Sequence, residues 1–460
     1  MKSIHQNKVF VLTVFLLSIF SCKNNTNNSE HSDVVLLNQE KPELSNDQLL
    51  DTIQFQTFNY FWEGAEQNSG LARERLHMDN TYPTSPKNTV TTGGSGFGLM
   101  AILVGVERGW VTREQALKRY TKIVNFLEKA DRFHGAWSHW INGETGKVYP
   151  FGKKDNGGDL VETAFLVQGL LTVSEYFKDG NKEEQELVTK IDKLWKEVEW
   201  DWYTKGGEDV LYWHWSPEYD WDMNFPVGGY NECLIMYVLA AASPTHSISK
   251  EVYEKGWAKN GAIVSNDSYY DEELVLNYFE HSDAPIGPLF WAHYSYLGLD
   301  PRGLSDQYAD YWALTQNHAK IHYKYAIDNP KNFSGYSDSL WGLTSSYSMK
   351  GYAGHRPGND LGVVSPTAAL SSFPYTPKAS MKMLKNIYKN HDSLVDKYGP
   401  YDAFSFEYDW YLPRYLAIDQ GPIPVMIENY RTGLLWDLFM KNKDVQYGLK
   451  KLGFKTKNKN

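Results

Sequence analysis

The sequence predicts an all-α fold, an (α/α)6 toroid with six inner and six outer helices. Helix-start signals, in which Gly, Ser or Pro precedes an apolar run, occur six times, near residues 94, 158, 229, 288, 366 and 424. The intervals of 58 to 78 residues are long enough for one helix in each direction and two loops. Strand-like alternation is scarce, and helical periods dominate.

The apolar runs are predicted to be the inner helices, because their apolar positions cover much of the helix circumference. These runs are residues 97–106, 160–171, 233–242, 289–297, 367–373 and 425–438. More polar segments between them are predicted to be outer helices, at residues 47–66, 113–132, 182–200, 305–327 and 377–397. All inner helices of such a ring run the same way, so their N-termini gather on one face.

The domain boundaries follow from shifts in composition. Residues 1–22 combine a basic start with an apolar core that is too short to span a membrane, and their end resembles a bacterial lipoprotein signal. By that resemblance Cys22 is lipidated, which predicts a protein anchored to a bacterial membrane, in the periplasm or at the cell surface. Residues 23–45 are polar and predict a flexible tether. Residues 46–460 are predicted to be one catalytic domain. The repeated helix starts are stronger evidence on the number of domains than the length of the chain.

Charge and cysteine content exclude several classes of function. The net charge is −10 with no basic stripe, so we expect no nucleic-acid partner and a neutral rather than an anionic substrate. Lipidation of Cys22 would leave Cys233 with no cysteine to pair with inside the chain. His134, His139 and His214 show no H-E-x-x-H or comparable metal spacing. We therefore expect no metal, no cofactor and a monomer.

Two carboxylates stand at the start of the second apolar run. Asp159 and Glu162 are three residues apart and project from the same helix face, directly after two glycines. Acidic residues near a buried helix predict either a catalytic site or a cap that complements the helix dipole. Because the inner N-termini share one face of the ring, Glu232 before the third run joins this group.

Aromatic residues concentrate in the loops before the inner helices. The chain holds 16 Trp and 32 Tyr, and aromatic faces stack on the apolar faces of sugar rings. The candidate substrate contacts are Arg73, Trp137, Trp140, His214, Trp215, Tyr230, Asn231, Trp341 and His355. Sugar-stacking loops beside paired acids indicate glycosidic hydrolysis, in which one acid protonates the leaving oxygen and a second carboxylate acts as base or nucleophile.

Four runs resemble the glycoamylase-like domain of glycoside hydrolase family 144, the bacterial β-1,2-glucanases. They are residues 61–75, 91–98, 157–164 and 230–232. The resemblance implies an (α/α)6 fold, an inverting mechanism and cleavage of β-1,2-glucan to sophoro-oligosaccharides. It also implies that Asp159, Glu162 and Glu232, in the D-x-x-E and N-E motifs, are the catalytic acids. We assign Glu232 as general acid because its helix is the more apolar, and Asp159 or Glu162 as the group that activates water.

Three functions stay open at this point. We expect an endo-acting glucanase. An exo-acting, sophorose-releasing enzyme or another glucosidase on the same fold would use the same acids, with different loops around the groove. A non-catalytic glycan-binding lipoprotein would need the aromatic loops but not the acids.

Overall fold

A computed structural model describes residues 44–278 and 285–457, and these residues are mainly helical. The α-helices are α1 (Asn46–Trp62), α2 (Thr92–Glu107), α3 (Arg113–Leu127), α4 (Leu160–Phe177), α5 (Lys182–Lys196), α6 (Leu234–Ala242), α7 (Tyr311–Asp328), α8 (Pro366–Ser371), α9 (Pro377–Asn390), α10 (Ala417–Gln420), α11 (Pro422–Arg431), α12 (Leu434–Phe439) and α13 (Lys443–Leu452). The signal peptide, Cys22 and most of the tether lie outside the described residues.

Short antiparallel strands of two to four residues join the helices. They are β1 (Arg75–His77), β2 (Thr89–Thr91), β3 (Arg132–Phe133), β4 (Ala136–Trp137), β5 (Trp140–Asn142), β6 (Val148–Tyr149), β7 (Gly158–Asp159), β8 (Leu211–Tyr212), β9 (His214–Trp215), β10 (Pro226–Val227), β11 (Ser268–Tyr269), β12 (Glu272–Glu273), β13 (Ser345–Ser348), β14 (Gly351–Gly354), β15 (Val395–Asp396), β16 (Gly399–Pro400), β17 (Phe404–Ser405), β18 (Trp410–Tyr411) and β19 (Arg414–Leu416). Strand β1 pairs with β19, which ties the early part of the chain to the late part.

The predicted inner helices α2, α4, α6, α8 and α11 are buried along almost their whole length. The predicted outer helices α3, α5 and α9 bury one face only. Local sequence sets the first residue of α1 and α3, because each helix begins with a capping box. Ser45 and Thr112 accept a hydrogen bond from the backbone of a Gln three residues later, and the Gln side chain accepts one from their backbone. The two helix classes that periodicity predicts are therefore both present.

Glycines set the close approach of α2 to its neighbours. A Cβ at Gly96 would lie 2.1 Å from the Phe165 carbonyl oxygen of α4, and a Cβ at Gly169 would lie 2.3 Å from the Gly96 oxygen. On another side of α2, Gly98 and Gly105 leave room for the Phe61 and Phe58 rings of α1. Helix α2 thus packs between α1 and α4.

Two of the apolar runs differ from the single helices that the sequence predicts. Residues 289–297 form two 3₁₀ turns, Leu289–Ala292 and Tyr294–Leu297, with His293 (φ −111°) between them. Residues 425–438 divide into α11 and α12 at Gly433, whose φ of 79° an α-helix does not permit. The side chain of Asn429 accepts hydrogen bonds from Leu435 N and Trp436 N and so satisfies the start of α12.

Remaining irregular helical segments are the 3₁₀ turns Trp202–Thr204, Lys259–Gly261 and Asp392–Leu394 and the π-helix Val252–Trp257. In the two described stretches no helix combines the length and the apolar character that crossing a membrane requires.

Candidate active site

Asp159 stands at the junction of a strand and an inner helix. It is the last residue of β7 and the N-cap of α4, where its Oδ1 accepts a hydrogen bond from Glu162 N at 2.9 Å. The side chain is fully buried. The capping role that the sequence left open is therefore present, and it occupies one carboxylate oxygen.

The second oxygen of Asp159 faces two histidines and a tryptophan. Its Oδ2 lies 2.9 Å from His139 Nδ1 and accepts a hydrogen bond from Trp213 Nε1 at 3.0 Å. His214 Nε2 lies 3.5 Å from the same oxygen and 3.1 Å from Asp155 Oδ2. Pairing of β7 with β9 places Asp159 directly opposite His214, so a local strand pair builds this cluster.

The charges in this cluster favour ion pairs. Burial lowers the pKa of His139, but Glu162, Asp159 and Asp155 more than offset it and raise that pKa to about 10. Burial also opposes protonation of His214, yet hydrogen bonds to Asp155 and Asp159 raise its pKa to about 9. Burial alone would raise the pKa of Asp159, but the two histidines hold it well below its usual range. Asp159 is therefore a weak base.

The pKa of Glu162 is shifted in the opposite direction from that of Asp159. Glu162 Oε2 accepts hydrogen bonds from Gly93 N at 2.7 Å and from Thr91 Oγ1 at 3.3 Å. Gly93 has to be glycine for this contact, because a Cβ there would lie 2.7 Å from Glu162 Oε2. Burial, helped by the charge of Asp159 and opposed by His139, raises the pKa of Glu162. This carboxyl group can carry a proton more readily than an exposed glutamate can.

His139, Asp155, Asp159 and His214 also form a set of possible metal ligands. Their ligand atoms lie within 4.8 Å of one another, and two imidazoles with two carboxylates suit a divalent cation. With both histidines protonated, however, two positive and two negative charges already balance. The expectation of no metal rests on sequence spacing and stays a prediction.

The pKa of Tyr294 responds to the charges of both Glu162 and Glu232. The Tyr294 hydroxyl is buried and has no hydrogen-bond partner among the described residues. Burial raises the pKa of Tyr294, and the charges of Asp419, Glu232 and Glu162 raise it further. Because such effects weaken with distance, we take all three acids to belong to the region of this hydroxyl group. Glu232 precedes α6 and is 9% exposed, and its backbone oxygen accepts a hydrogen bond from Ser295 Oγ.

Three of the predicted substrate contacts lie near the acids. Trp140 packs against His139, with ring centroids 5.9 Å apart, and is 9% exposed. His214 belongs to the ion-pair cluster described above. Tyr230 is buried, and the charge of Glu232 adds to the rise in its pKa that burial causes.

Other predicted contacts serve the packing of the fold. Trp137 and Trp341 are buried and donate their indole N–H groups to the carbonyl oxygens of Leu127 and Ala379. The His355 side chain is fully buried. These three side chains are enclosed by protein in this structure, and their role as sugar contacts stays a prediction.

Asn231, Trp215 and Arg73 also have structural partners. Asn231 Oδ1 accepts a hydrogen bond from Cys233 N at 2.9 Å, and Trp215 packs edge-on against His134. The Arg73 guanidinium donates to the Lys87 carbonyl oxygen beside a cavity of about 510 Å³, which is lined by Glu66, Gln67, Asn68, Arg73, Lys87, Asn88 and Glu144. The acids of the site do not line that cavity.

A second arginine, Arg75, lies beside the predicted substrate contact Trp140. Arg75 forms an ion pair with Glu74, donates to Tyr347 Oη at 2.7 Å and lies 5.8 Å from the Trp140 ring centroid. Sequence reasoning missed Arg75, as it missed the residues Asp155, Trp213, Tyr294, Asp402 and Asp419. One signal was available, because Asp419 lies three residues before Pro422, at the sixth helix start. An examination of the acids before every helix start would have found it.

Comparisons with known proteins agree with this architecture. The glycoamylase family model matches residues 224–443. The structure of an endo-β-1,2-glucanase from Chitinophaga pinensis, solved with sophorotriose and glucose, is 60% identical in sequence. The match covers 90% of this chain and 99% of that one, with a TM-score of 0.87.

A curated relative differs in length. The exo-β-1,2-glucooligosaccharide sophorohydrolase of Parabacteroides distasonis is 47% identical over 431 residues, which cover 89% of this chain but span only 58% of that relative. An endo-β-1,2-glucanase from Talaromyces funiculosus shares the fold at 11% identity, with 88% of this chain and 92% of that one covered and a TM-score of 0.61.

Proposed function

Because this chain belongs to the glycoamylase-like family of bacterial β-1,2-glucanases, glycoside hydrolase family 144, we propose that it hydrolyses β-1,2-glucan to sophoro-oligosaccharides. The observation that carries the proposal is 60% identity over 99% of the length of a β-1,2-glucanase solved with sophorotriose. The buried acids Asp159, Glu162 and Glu232 support it, since glycosidic cleavage needs two carboxyl groups in one site.

The proposal includes the ring architecture. We infer that the buried helices and the 3₁₀ turns of residues 289–297 form the inner ring of an (α/α)6 toroid, and that the more polar helices form the outer ring. Contact of α2 with both α1 and α4 supports this arrangement. The site acids then belong to the face at which the inner helices begin.

Our proposed mechanism is inverting hydrolysis with Glu232 as general acid. Glu232 gives a proton to the leaving oxygen while a base removes a proton from the attacking water. Its low exposure and the buried helix that follows it place this carboxyl group where little water reaches it. Asp159 is better suited to hold His139 and His214 in place, because its four polar contacts and low pKa make it a poor base.

Product analysis tests the substrate and the mode of action. We expect the soluble domain, residues 46–460, to release a ladder of short β-1,2-oligomers early from linear β-1,2-glucan, with starch and β-1,3-glucan uncut as controls. Release of disaccharide alone from the start would instead indicate exo action. The 47% identity to an exo-acting sophorohydrolase is the reason to test for it. Retention of the glucan without cleavage would contradict the proposed hydrolase activity and favour a glycan-binding protein.

Leaving-group dependence tests the acid. We expect Glu232→Gln to lower kcat on β-1,2-glucan about 10²–10⁴-fold, because general acid catalysis is lost. The loss should nearly vanish on an aryl β-1,2-oligoglucoside with a dinitrophenol leaving group, which departs without a proton. Glu162→Gln is the matched comparison, since the raised pKa of Glu162 makes it the competing donor. If only Glu162→Gln shows this pattern, the acid is Glu162.

A further inference from the structure

Two aspartates outside the motifs that the sequence singles out form a buried carboxyl pair. Asp402 lies between β16 and β17 and is 1% exposed, and Asp419 lies in α10 and is 4% exposed. Their side chains are hydrogen-bonded to each other. Two carboxyl groups can make such a bond only if at least one of them carries a proton.

The remaining contacts of the pair fit one shared proton. Asp402 Oδ2 accepts a hydrogen bond from Tyr347 N at 2.7 Å. Asp402 Oδ1 and Asp419 Oδ2 have no donor among the described residues. Burial, together with the charge of Asp402 and the hydrogen bond to it, raises the pKa of Asp419 well above its usual range. Burial raises the pKa of Asp402 to about 6, opposed by its hydrogen bonds from Asp419 and Tyr347 N. The pair therefore holds one proton at neutral pH.

The pair belongs to the same site as the motif acids. Asp419 is the charge with the largest effect on the unpartnered Tyr294 hydroxyl, which Glu232 and Glu162 also influence. The start of α10 is adjacent to that of α2, because a Cβ at Gly94 would lie 2.8 Å from Ala417 Cβ. The start of α2 in turn contacts Glu162. Tyr294 is thus a buried, unpartnered polar group whose pKa responds to the charge of Asp419 as well as to Glu232 and Glu162.

Inverting hydrolysis needs a general base, and Asp159 and Glu162 are poorly suited to this role. Asp159 is committed to an N-cap and to ion pairs, and Glu162 tends to hold a proton. An effective general base is one whose conjugate acid has a pKa near the working pH. Two carboxyl groups that share a proton meet this requirement, because each keeps the other from ionising fully.

We propose that Asp402 and Asp419 act together as the proton acceptor for the attacking water. As the water oxygen bonds to the anomeric carbon, Asp419 takes a proton from the water and passes the proton it already carries to Asp402 across their hydrogen bond. Asp402 acts through Asp419 and is its positioning partner. The glycosidic C–O bond breaks, and the leaving oxygen receives a proton from Glu232. The pair passes from one proton to two and returns the extra one to solvent, while Glu232 is reprotonated. This inference rests on the proposed function.

Rescue by an external nucleophile is the decisive test. We expect Asp419→Asn and Asp419→Ala to lower kcat on linear β-1,2-glucan about 10²–10⁴-fold, with KM changed less than about threefold. Azide needs no base, so it should restore turnover of Asp419→Ala and yield an α-glycosyl azide. Asp402→Asn should lower kcat and move the acidic limb of its pH profile, since the two groups titrate as a pair.

A matched variant separates this effect from general damage. Asp392→Asn replaces an exposed aspartate on the same stretch of chain and should leave kcat and thermal unfolding unchanged. Unaltered kcat in Asp419→Asn, or a loss in Asp419→Ala that azide does not rescue, would overturn the inference. No cleavage of β-1,2-glucan by the unaltered enzyme would instead overturn the proposed function, and the inference with it.

Discussion

At Asp159 one carboxylate serves two structural purposes. Oδ1 caps α4 by accepting a hydrogen bond from Glu162 N. Oδ2 contacts His139 Nδ1 and accepts a hydrogen bond from Trp213 Nε1. The sequence predicts a cap or a catalytic acid at this position and cannot choose between them. The choice depends on the histidines, which reach Asp159 from a loop and from strand β9. Asp159 is therefore better suited to hold its neighbouring side chains in position than to transfer protons.

The ion pairs of His214 predict a pH-dependent contribution to stability. Its pKa is raised to about 9 in the folded protein, so the stabilisation is full below its unfolded pKa of about 6.5 and is lost as pH rises through about 9. We expect His214→Gln to lower the free energy of unfolding by roughly 3 kcal/mol near pH 6, because a buried charge loses its partner. Near pH 10 the difference should be much smaller. Urea unfolding at both pH values measures it.

His246 provides the control for that prediction. It pairs with Asp201 at 3.1 Å, but both side chains are substantially exposed. Exposed pairs contribute roughly 0–1 kcal/mol, so His246→Gln should change stability little at either pH. An equal loss of stability for His214→Gln at both pH values would show that packing, not charge, explains the effect.

Among the elements, the contact between α2 and α4 depends most on sequence detail. Gly96 and Gly169 face each other's backbone, so no side chain fits between the two helices. Glycine in a helix normally reduces stability, and its presence here is explained by this close approach. Since Gly93 and Glu162 lie at the starts of these helices, the spacing between the helices also sets the position of Glu162.

We predict that Gly96→Ala destabilises the fold and disturbs the site. The added methyl carbon would lie 2.1 Å from the Phe165 oxygen, and overpacking of this kind costs roughly 1–3 kcal/mol. Gly152→Ala is the control, because the nearest heavy atom to its Cβ is 3.9 Å away. Thermal unfolding and kcat measure both effects. Equal melting temperatures for the two variants would contradict the close contact.

The fourth apolar run shows where element prediction fails. Residues 289–297 carry a helix-start signal, yet they form two 3₁₀ turns. The side chain of Ser295 bonds to the Glu232 backbone oxygen and to Ile235 N, both from the neighbouring inner segment. Tertiary contacts of this kind override the local preference for a helix.

For the whole molecule, we propose a lipid-anchored enzyme. Residues 1–22 resemble a lipoprotein signal, and they lie outside the described part of the chain. We predict that Cys22→Ser moves the enzyme from the membrane fraction to the soluble fraction, because a lipid chain contributes about 0.8 kcal/mol per buried CH₂. Fractionation of cells with activity measured in each fraction tests this. Full retention of the variant in the membrane fraction would contradict the anchor.

The sequence by itself determined the helical character, most of the helical segments, and the acids at the starts of α4 and α6. These features depend on periodicity and on residues a few positions apart, so they can be read locally. The sequence did not determine which acids act together. Asp402 is separated in the chain from Asp419, and Asp159 from His214, and each pair is adjacent only after folding. Burial and charge interactions depend on spatial distance, so only the tertiary structure decided which carboxyl groups hold a proton and which do not.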